Sequence, residues 1–349
     1  MVDAIALGCG LVGNFVVQQL AERDLKIHVI DLVIPDSIKS HSNITFDEGD
    51  IFEIKDHLPN SNLIINMLPG RIGESMREIF ILEGKDIVDL AFTEEDPTKH
   101  HQLAVENKST VIWDVGIAPG LSNMIMKMEF GLNEIITEAT IKVGGNPSKP
   151  DDEWSYMAPF SPSDVIEEYT RPARIIDDNG EKTVPALTDL HKINVEGYGT
   201  MEAFLTDGLR SLLYSGFSQT MREYTVRWPG HIEKWLETKE NFDEGELIEA
   251  WKFDSERDEF TWMEICIKNQ KETIQWIICD NGKDGHSSMA RTTGLVTMAC
   301  VLEFINPEKT MKNNLGNGVF SPEKLSDDSI ERIIRLMKGQ GVEICRNII

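Results

Sequence analysis

The segment Ala4-Ile-Ala-Leu-Gly-Cys-Gly-Leu-Val-Gly13 joins a short apolar run to three glycines with the spacing GxGxxG. An amphipathic stretch over 14–23 follows, and a second apolar run ends at Asp31. A strand, a glycine-rich turn, a helix and a second strand in this order predict a β-α-β unit. Such a unit binds the phosphates of a dinucleotide, so the beginning of the chain predicts a nucleotide site.

Each glycine of this turn has its own expected role. Gly8 permits the tight turn, Gly10 lets backbone N–H groups approach a pyrophosphate, and Gly13 allows the helix to pack closely on the sheet. Leu11 and Val12 begin the helix, whose N-terminus attracts negative charge. These five residues are therefore the predicted phosphate-binding residues, although a degenerate Rossmann domain that binds nothing has the same pattern.

Asp31 closes the second strand and is expected to select the cofactor. An ionised carboxylate there accepts hydrogen bonds from the adenosine ribose hydroxyls and repels a 2′-phosphate. The next two residues, Leu32 and Val33, supply no cation for such a phosphate. The sequence therefore predicts NAD as the cofactor, in preference to NADP.

A second loop is expected at the cofactor site. The sequence Asn66-Met-Leu-Pro-Gly70 follows a further strand-like run, at the edge where parallel sheets bind ligands. We predict that Leu68 and Pro69 line the cofactor, while a plain Pro-Gly turn is the alternative.

The rest of the chain predicts two domains. Strand-like runs at 63–67, 86–89 and 111–113 alternate with helix-like segments up to Asp114, which indicates a doubly wound parallel sheet. Later strands are separated by Pro/Gly turns, and 260–268 with 273–279 reads as an antiparallel hairpin. The predicted fold class is α/β: an N-terminal Rossmann domain plus an α+β substrate and dimerisation domain. The expected boundaries are 1–120 with 288–349, and 121–287; helices are predicted at 14–23, 72–83, 97–107, 162–169, 200–214, 231–241 and 288–305.

Composition excludes several classes of protein. The 349 residues include 34 Lys and Arg against 59 Asp and Glu, a net charge of −25 without a dense basic patch, so no nucleic-acid partner is expected. Apolar stretches such as 295–305 fall short of the ~20 residues of a membrane span, so no membrane partner is expected. Five scattered cysteines without CxxC spacing, and a start without a basic region, predict a cytoplasmic protein with no metal site.

Longer stretches resemble the saccharopine dehydrogenase-like family, most closely its lysine 6-dehydrogenase branch. The matching segments occur in family order along nearly the whole chain. They are Asp114-Val-Gly-Ile-Ala-Pro-Gly-Leu-Ser-Asn123, Val143-Gly-Gly-Asn-Pro147, 160–173, Glu202-Ala-Phe-Leu-Thr-Asp-Gly-Leu-Arg210, Met221-Arg-Glu-Tyr-Thr-Val-Arg-Trp-Pro-Gly-His231 and Met289-Ala-Arg-Thr-Thr-Gly294.

The resemblance implies NAD-dependent oxidative deamination of the terminal amine of a basic amino acid, with lysine as the model substrate. It also implies C-terminal helices that fold back onto the Rossmann half. Ala290 departs from the family, which usually has Glu there. A saccharopine-type reductase and a non-catalytic NAD-binding sensor are the alternatives.

The implied reaction needs a base, because an ammonium has no lone pair until it loses a proton. His231 is one candidate, since imidazole titrates near neutral pH; a structural histidine is the alternative. Asp89 and Asp114 are the other candidates, since each ends a strand at the cofactor edge. Either aspartate could instead cap a helix or bond loop amides.

An amino-acid substrate also needs partners for its charged groups. Arg171 and Arg210 are the candidates for its carboxylate, because guanidinium binds that group with two parallel hydrogen bonds; structural salt bridges are the alternative. Thr292 and Thr293 could donate to the same carboxylate or serve as helix caps.

The predicted partners for substrate ammonium groups are Glu168, Tyr169 and Asp207, although the first two could equally face solvent on a helix. The resemblance and the hairpin, taken as an exposed sheet edge, also predict a homodimer.

Overall fold

The computed structural model describes residues 1–132, 135–239, 243–306 and 311–349. The chain forms two compact units: Met1–Met124 with Thr293–Met337, and Ile125–Thr292 with Lys338–Ile349. The sequence predicts that 288–349 belongs to the first unit. The structure differs in two places, because 288–292 and 338–349 belong to the second unit, where the last strand pairs within the second sheet.

Within the described ranges the strands are β1 (Ala4–Leu7), β2 (Ile27–Asp31), β3 (Ile44–Glu48), β4 (Leu63–Asn66), β5 (Asp86–Asp89), β6 (Thr110–Trp113), β7 (Ile136–Pro147), β8 (Ala173–Asp177), β9 (Gly180–Val184), β10 (His191–Val195), β11 (Gly199–Leu205), β12 (Thr220–Arg227), β13 (Glu259–Asn269), β14 (Thr273–Asn281), β15 (Gly318–Phe320) and β16 (Glu343–Ile348). The α-helices are α1 (Leu11–Ala21), α2 (Asp36–Lys39), α3 (Ile51–Ile54), α4 (Gly70–Leu82), α5 (His101–Glu106), α6 (Leu121–Leu132), α7 (Pro162–Thr170), α8 (His231–Thr238), α9 (Glu244–Ala250), α10 (Ser288–Ile305), α11 (Met311–Leu315) and α12 (Asp327–Gly339). Short 3-10 helices cover Lys55–His57, Pro97–His100, Arg210–Tyr214 and Pro322–Lys324.

The first unit is built on a parallel sheet. In the described part of the chain its seven strands have the order β3-β2-β1-β4-β5-β6-β15. The order reverses at β1, which is the switch point of a doubly wound fold, and ligands of such folds bind beyond the carboxyl ends of the strands there. The predicted Rossmann domain is confirmed, with β3 and β15 added to the strands that the sequence indicated.

The core of this unit follows from its apolar strands and amphipathic helices. Both faces of the central strands are buried, as expected of a parallel sheet covered by helices. Helix α1 buries Phe15, Val16 and Leu20, which recur at helical spacing. This packing fixes the turn between β1 and α1 at the carboxyl edge of the sheet.

The second unit contains a mixed sheet, as the predicted α+β class requires. Its main path is β10-β11-β12-β7-β13-β14-β16, and β8 pairs with β12 and β9. The predicted hairpin is present as β13 and β14, but it is not an edge, because β7 and β16 flank it. The hairpin therefore gives no support to the expected dimer.

One predicted helix is wrong. The segment 200–214 forms β11 and a 3-10 helix, because β11 pairs with both β10 and β12. The described part of the predicted helix 231–241 is helical to Thr238, and residues 240–242 lie outside the described ranges.

Helix α10 is long and apolar enough to cross a membrane by length and composition alone, and no other described helix is. However, 83% of its 18-residue window is buried inside the protein, which is typical of a core helix.

Candidate functional site

The glycine-rich turn has the close packing that only glycines allow. Gly8 has φ +90°, and a Cβ there would lie 2.6 Å from the Met67 carbonyl oxygen. A Cβ on Gly13 would lie 2.3 Å from the Gly8 carbonyl oxygen. Gly10 is different, since a Cβ there would meet nothing within 4 Å. The first two glycines let protein elements touch, and Gly10 borders open space.

That open space lies at the N-terminus of α1. Gly10 caps this helix, and in the described residues neither a side-chain cap nor an acidic residue of the first turn competes for its N–H groups. Leu11 is exposed and Val12 is half-buried. The turn therefore offers backbone donors and a helix dipole to an anion, which fits a pyrophosphate.

Asp31 lies directly beside this turn. Its Oδ2 accepts a hydrogen bond from the backbone N–H of Cys9, and its Oδ1 accepts one from the N–H of Val33 at 3.3 Å. The residue is half-buried. A carboxylate oxygen can accept more than one hydrogen bond, so Asp31 can still accept from ribose hydroxyls.

The loop after β4 lies next to the same turn. Its Met67 N–H donates to the Leu7 carbonyl at 2.8 Å, and Pro69 is the N-cap of α4. Leu68 and Pro69 are both half-buried. The structure thus brings both predicted cofactor loops to one edge of the sheet.

Asp89 is tied into a buried ion pair. Its Oδ2 accepts from Nε of Arg77 at 2.5 Å, and its Oδ1 accepts from Asn66 and from the Ala91 N–H, both at 3.0 Å. Both side chains of the ion pair are 0% exposed. This environment argues against Asp89 as the base, because its side chain is completely buried and its charge is balanced by Arg77.

Asp114 follows β6 at the same edge of the sheet. It is 2% exposed and has φ +54°, a left-handed conformation that Asp tolerates better than most residues. The position agrees with the predicted place at the strand end.

His231 is the first residue of α8 and lies in a dry, aromatic environment. Its Nδ1–H donates to the Trp154 carbonyl at 2.9 Å, and its Nε2 accepts from the Tyr169 hydroxyl at 3.0 Å. Burial, with the charge of Arg227, lowers the pKa of the imidazole to about 3. The structure argues against the predicted base, because both ring nitrogens are engaged and the ring is 2% exposed.

Glu168 and Tyr169, neighbours on α7, meet a buried arginine. Arg227 donates from Nε to the Tyr169 hydroxyl at 2.8 Å, and its Nη2 lies 3.8 Å from Oε2 of Glu168. Its guanidinium also stacks over the Tyr156 ring at 4.5 Å. The Glu168 side chain is 19% exposed and the Arg227 side chain 4%, so Glu168 can reach a ligand while Arg227 balances its charge.

Asp207, the remaining predicted partner for an ammonium group, is hydrogen-bonded to an arginine of the protein. Asp207 forms two hydrogen bonds with the Arg174 guanidinium, at 2.9 and 2.7 Å, and accepts from the Arg174 N–H at 3.0 Å. Such a bidentate pair leaves Asp207 little capacity for a substrate cation.

The two predicted carboxylate-binding arginines have different surroundings. Arg171 pairs with Glu167 one turn earlier, at 3.1 Å. Arg210 begins a 3-10 helix with φ +53° and is 3% exposed.

Thr292 and Thr293 lie inside α10, in its second turn, rather than at its cap. The Thr292 hydroxyl donates to the Ser288 carbonyl at 2.8 Å, as threonine often does within a helix. Both residues are buried, and the division between the two units falls between them.

Four buried residues near Glu168 were not predicted from the sequence. They belong to β12 and the segment after β11: Thr206, Glu223, Thr225 and Arg227. The available signal was their position inside two of the quoted family-like segments, 202–210 and 221–231. No group of three or more His, Cys, Asp and Glu suited to a metal ion occurs among the residues that the structure describes.

Residues 116–342 match the saccharopine dehydrogenase C-terminal domain, which is more than half of the 349 residues. The chain belongs to the saccharopine dehydrogenase family. The predicted family is thereby confirmed.

A solved structure agrees with this fold. The apo saccharopine dehydrogenase (L-Glu forming) from Saccharomyces cerevisiae is similar, with a TM-score of 0.79, 14% identity and 100% of both chains covered. A DAP dehydrogenase from C. glutamicum, solved in complex with DAP, gives a TM-score of only 0.49 and 10% identity over 96% of this chain and 98% of that chain, so it adds no argument. The first match shows that the saccharopine dehydrogenase fold extends over the whole chain.

Proposed function

We propose that this protein is an NAD-dependent dehydrogenase that oxidises the terminal amine of a basic amino acid, with lysine as the substrate. The observation that carries the proposal is Asp31 beside the glycine-rich turn, in a chain of the saccharopine dehydrogenase family. NAD, when bound, accepts a hydride from the amine-bearing carbon. Hydrolysis of the resulting imine gives an aldehyde and ammonia, and for lysine the aldehyde cyclises to a piperideine carboxylate.

NAD is preferred to NADP because the surroundings of Asp31 are acidic. Glu48 on β3 is paired in register with Asp31 on β2. Lys39, the nearest lysine along the chain after β2, forms an ion pair with Asp36 at 2.9 Å. A 2′-phosphate would therefore meet carboxylates, whereas ribose hydroxyls would find acceptors.

Glu168 is the best-supported partner for a substrate ammonium. It is a carboxylate with partial exposure, and the nearby Arg227 keeps it from being an isolated charge. In this proposal Glu168 also receives the proton that the ammonium must lose, since His231 and Asp89 are engaged by other groups. Asp114 remains the second candidate for the base.

The test is a spectrophotometric assay with NAD and a panel of lysine, ornithine and saccharopine. We expect NADH and ammonia to form from lysine. Asp31→Asn should need about tenfold more NAD to reach the same rate, because it binds NAD more weakly. Silence across the whole panel would remove the proposal. Turnover of saccharopine alone would favour the reductase, and NAD binding without turnover would favour the sensor.

We further propose a homodimer in the cytoplasm, as the sequence predicted. Sedimentation of the purified protein measures its oligomeric state. Fractionation of the source cells measures its location. A monomeric species at all concentrations would contradict the dimer.

A further inference from the structure

Strand β12 has a buried polar face. Glu223, Thr225 and Arg227 alternate along the strand, so their side chains share one side of the sheet. They are 4%, 2% and 3% exposed. Buried polar groups are costly unless they are hydrogen-bonded, so this row of side chains needs an explanation.

The explanation begins with a continuous series of hydrogen bonds. The Thr206 hydroxyl donates to Oε2 of Glu223 at 2.6 Å and lies 2.9 Å from the Thr225 hydroxyl. The Thr225 hydroxyl in turn bonds to Oε1 of Glu168. Of these four side chains, only Glu168 has appreciable exposure, so the series runs from a half-buried carboxylate to a buried carboxyl group.

The buried end is shaped to hold a carboxyl group. A Cβ on Gly208 would lie 2.5 Å from the Glu223 carboxyl, so the glycine allows its own N–H to bond that group. Burial raises the pKa of Glu223 to about 8, and the charges of Glu168 and Asp207 add to this rise. Asp207 in turn forms an ion pair with Arg174 at 2.7 Å.

Two other carboxylates raise the pKa of Glu223, and an arginine pairs with one of them. Glu168 comes from α7, Asp207 from the segment after β11, and Arg174 from β8. The flanking strand β7 places Ile141 opposite Glu223 in register. A carboxyl group in this setting can take up and release a proton near neutral pH, which an ordinary glutamate cannot.

We propose that these groups form a proton path that begins at Glu168, runs through two threonine hydroxyls and ends at Glu223. The proposal rests on the proposed function in one respect, namely that the proton comes from the substrate ammonium. The N–H bond breaks as an O–H bond forms on Glu168. Each hydroxyl then passes its own proton onward as it receives one, and an O–H bond forms on Glu223. After product release the proton returns to solvent along the same path, so one proton moves and no other reactant is needed.

Three of the six sequence segments that carry the family resemblance meet in this path. Glu168 lies in 160–173, Thr206 in 202–210, and Thr225 with Glu223 in 221–231. A path explains why two threonines and a second carboxyl group are buried behind Glu168, where apolar side chains would pack without hydrogen-bonding demands.

The first test needs no turnover. Infrared spectroscopy of the resting protein should show a protonated carboxyl band that titrates near the pKa of about 8 and is missing in Glu223→Gln. In D₂O this band should exchange promptly in the wild type and in the matched Thr206→Ser variant. Exchange should slow by about tenfold or more in Thr206→Val, which breaks the path. Thr225→Val, with Thr225→Ser as its control, repeats the test at the second hydroxyl.

Equal exchange rates in the valine and serine variants would overturn the path, and so would the absence of a Glu223 band. The second test is the pH dependence of kcat. The wild type should gain activity as Glu223 ionises, and Glu223→Gln should lose this limb while keeping its KM. A protein that oxidises amines but fails the exchange test refutes only the path. A protein that passes the exchange test but oxidises none of the amines refutes the proposed function.

Discussion

Asp31 is the residue on which the choice of cofactor depends. Asp31→Asn removes the charge while keeping the size of the side chain, so NAD affinity should fall by about tenfold. Discrimination against NADP should fall too, because the repulsion of a 2′-phosphate is lost. Calorimetric titration with both nucleotides measures these effects. Glu106→Gln, which changes an exposed carboxylate on α5, is the control, and unchanged NAD affinity in Asp31→Asn would contradict this assignment.

His231 shows how a residue suited to catalysis by type can be structural by environment. His231→Gln keeps a polar side chain near Trp154 and Tyr169 but removes the imidazole. We expect a loss of about 1–3 kcal/mol in the free energy of unfolding and an unchanged pH dependence of kcat/KM. If the variant folds normally yet loses activity together with the neutral-pH limb, His231 is the base after all.

Glu223 should also leave a signature in stability. Its pKa is raised from 4.5 to about 8, so between these values the folded state holds a proton that the unfolded state has released. The unfolding free energy of the wild type, relative to Glu223→Gln, should therefore fall as pH rises through this range, by up to about 1.4 kcal/mol per pH unit. It should level off above pH 8.

Denaturant titrations at a series of pH values measure this difference. The control is Glu167→Gln, which changes a more exposed carboxylate on the same helix, α7. A pH-independent difference between wild type and Glu223→Gln would mean that Glu223 is ionised in the folded protein.

At the scale of elements, the turn between β1 and α1 contains one glycine that the fold needs and another that the proposed NAD site needs. Gly13→Ala would place a Cβ 2.3 Å from the Gly8 carbonyl oxygen, so it should destabilise the protein by about 2 kcal/mol or more. Gly10→Ala meets nothing within 4 Å and should leave the melting temperature unchanged. It should nevertheless weaken NAD binding, because its methyl group enters the space expected for the pyrophosphate. Equal NAD affinity in Gly10→Ala and wild type would place the nucleotide elsewhere.

The elements that the sequence predicted best are those with strong local signals. The glycine turn, the strands at 86–89 and 111–113, and the helix 288–305 lie almost where they were expected. In each case a continuous apolar run or a clear helical period coincides with burial in the structure.

The elements that the sequence did not predict are determined by tertiary contacts and not by their local sequence. In β11, Met201, Ala203 and Leu205 are buried at every second position, yet the apolar residues are also compatible with a helix. The segment forms a strand because it pairs with both β10 and β12. Strand β12 was not predicted for a different reason. One of its buried faces carries Glu223, Thr225 and Arg227, and polar residues normally indicate exposure to solvent.

The candidate site was predicted only in part, because contacts between residues that are distant in the sequence cannot be read from the sequence. Residue type and strand-end position pointed to His231 and Asp89, but single-residue reasoning cannot see the partners that engage them. Glu168 was predicted from the sequence. The two threonine hydroxyls that connect it to Glu223 were not, because these residues lie on distant segments of the chain.

At the scale of the whole molecule, each unit carries one part of the proposed chemistry. The first unit carries the glycine-rich turn and Asp31, where we propose that NAD binds, and the second unit carries Glu168 and the proposed proton path. The net charge of −25 agrees with a cationic substrate, since the summed field of a protein biases its encounters with small ions.

The most direct measurement is the transfer of deuterium from labelled lysine to the nicotinamide ring, followed by mass spectrometry of the NADH that forms. Lysine deuterated at carbon 6 should give deuterated NADH, and lysine deuterated at carbon 2 should give unlabelled NADH. Label arriving from carbon 2, or no transfer from either substrate to bound NAD, would contradict oxidation of the terminal amine.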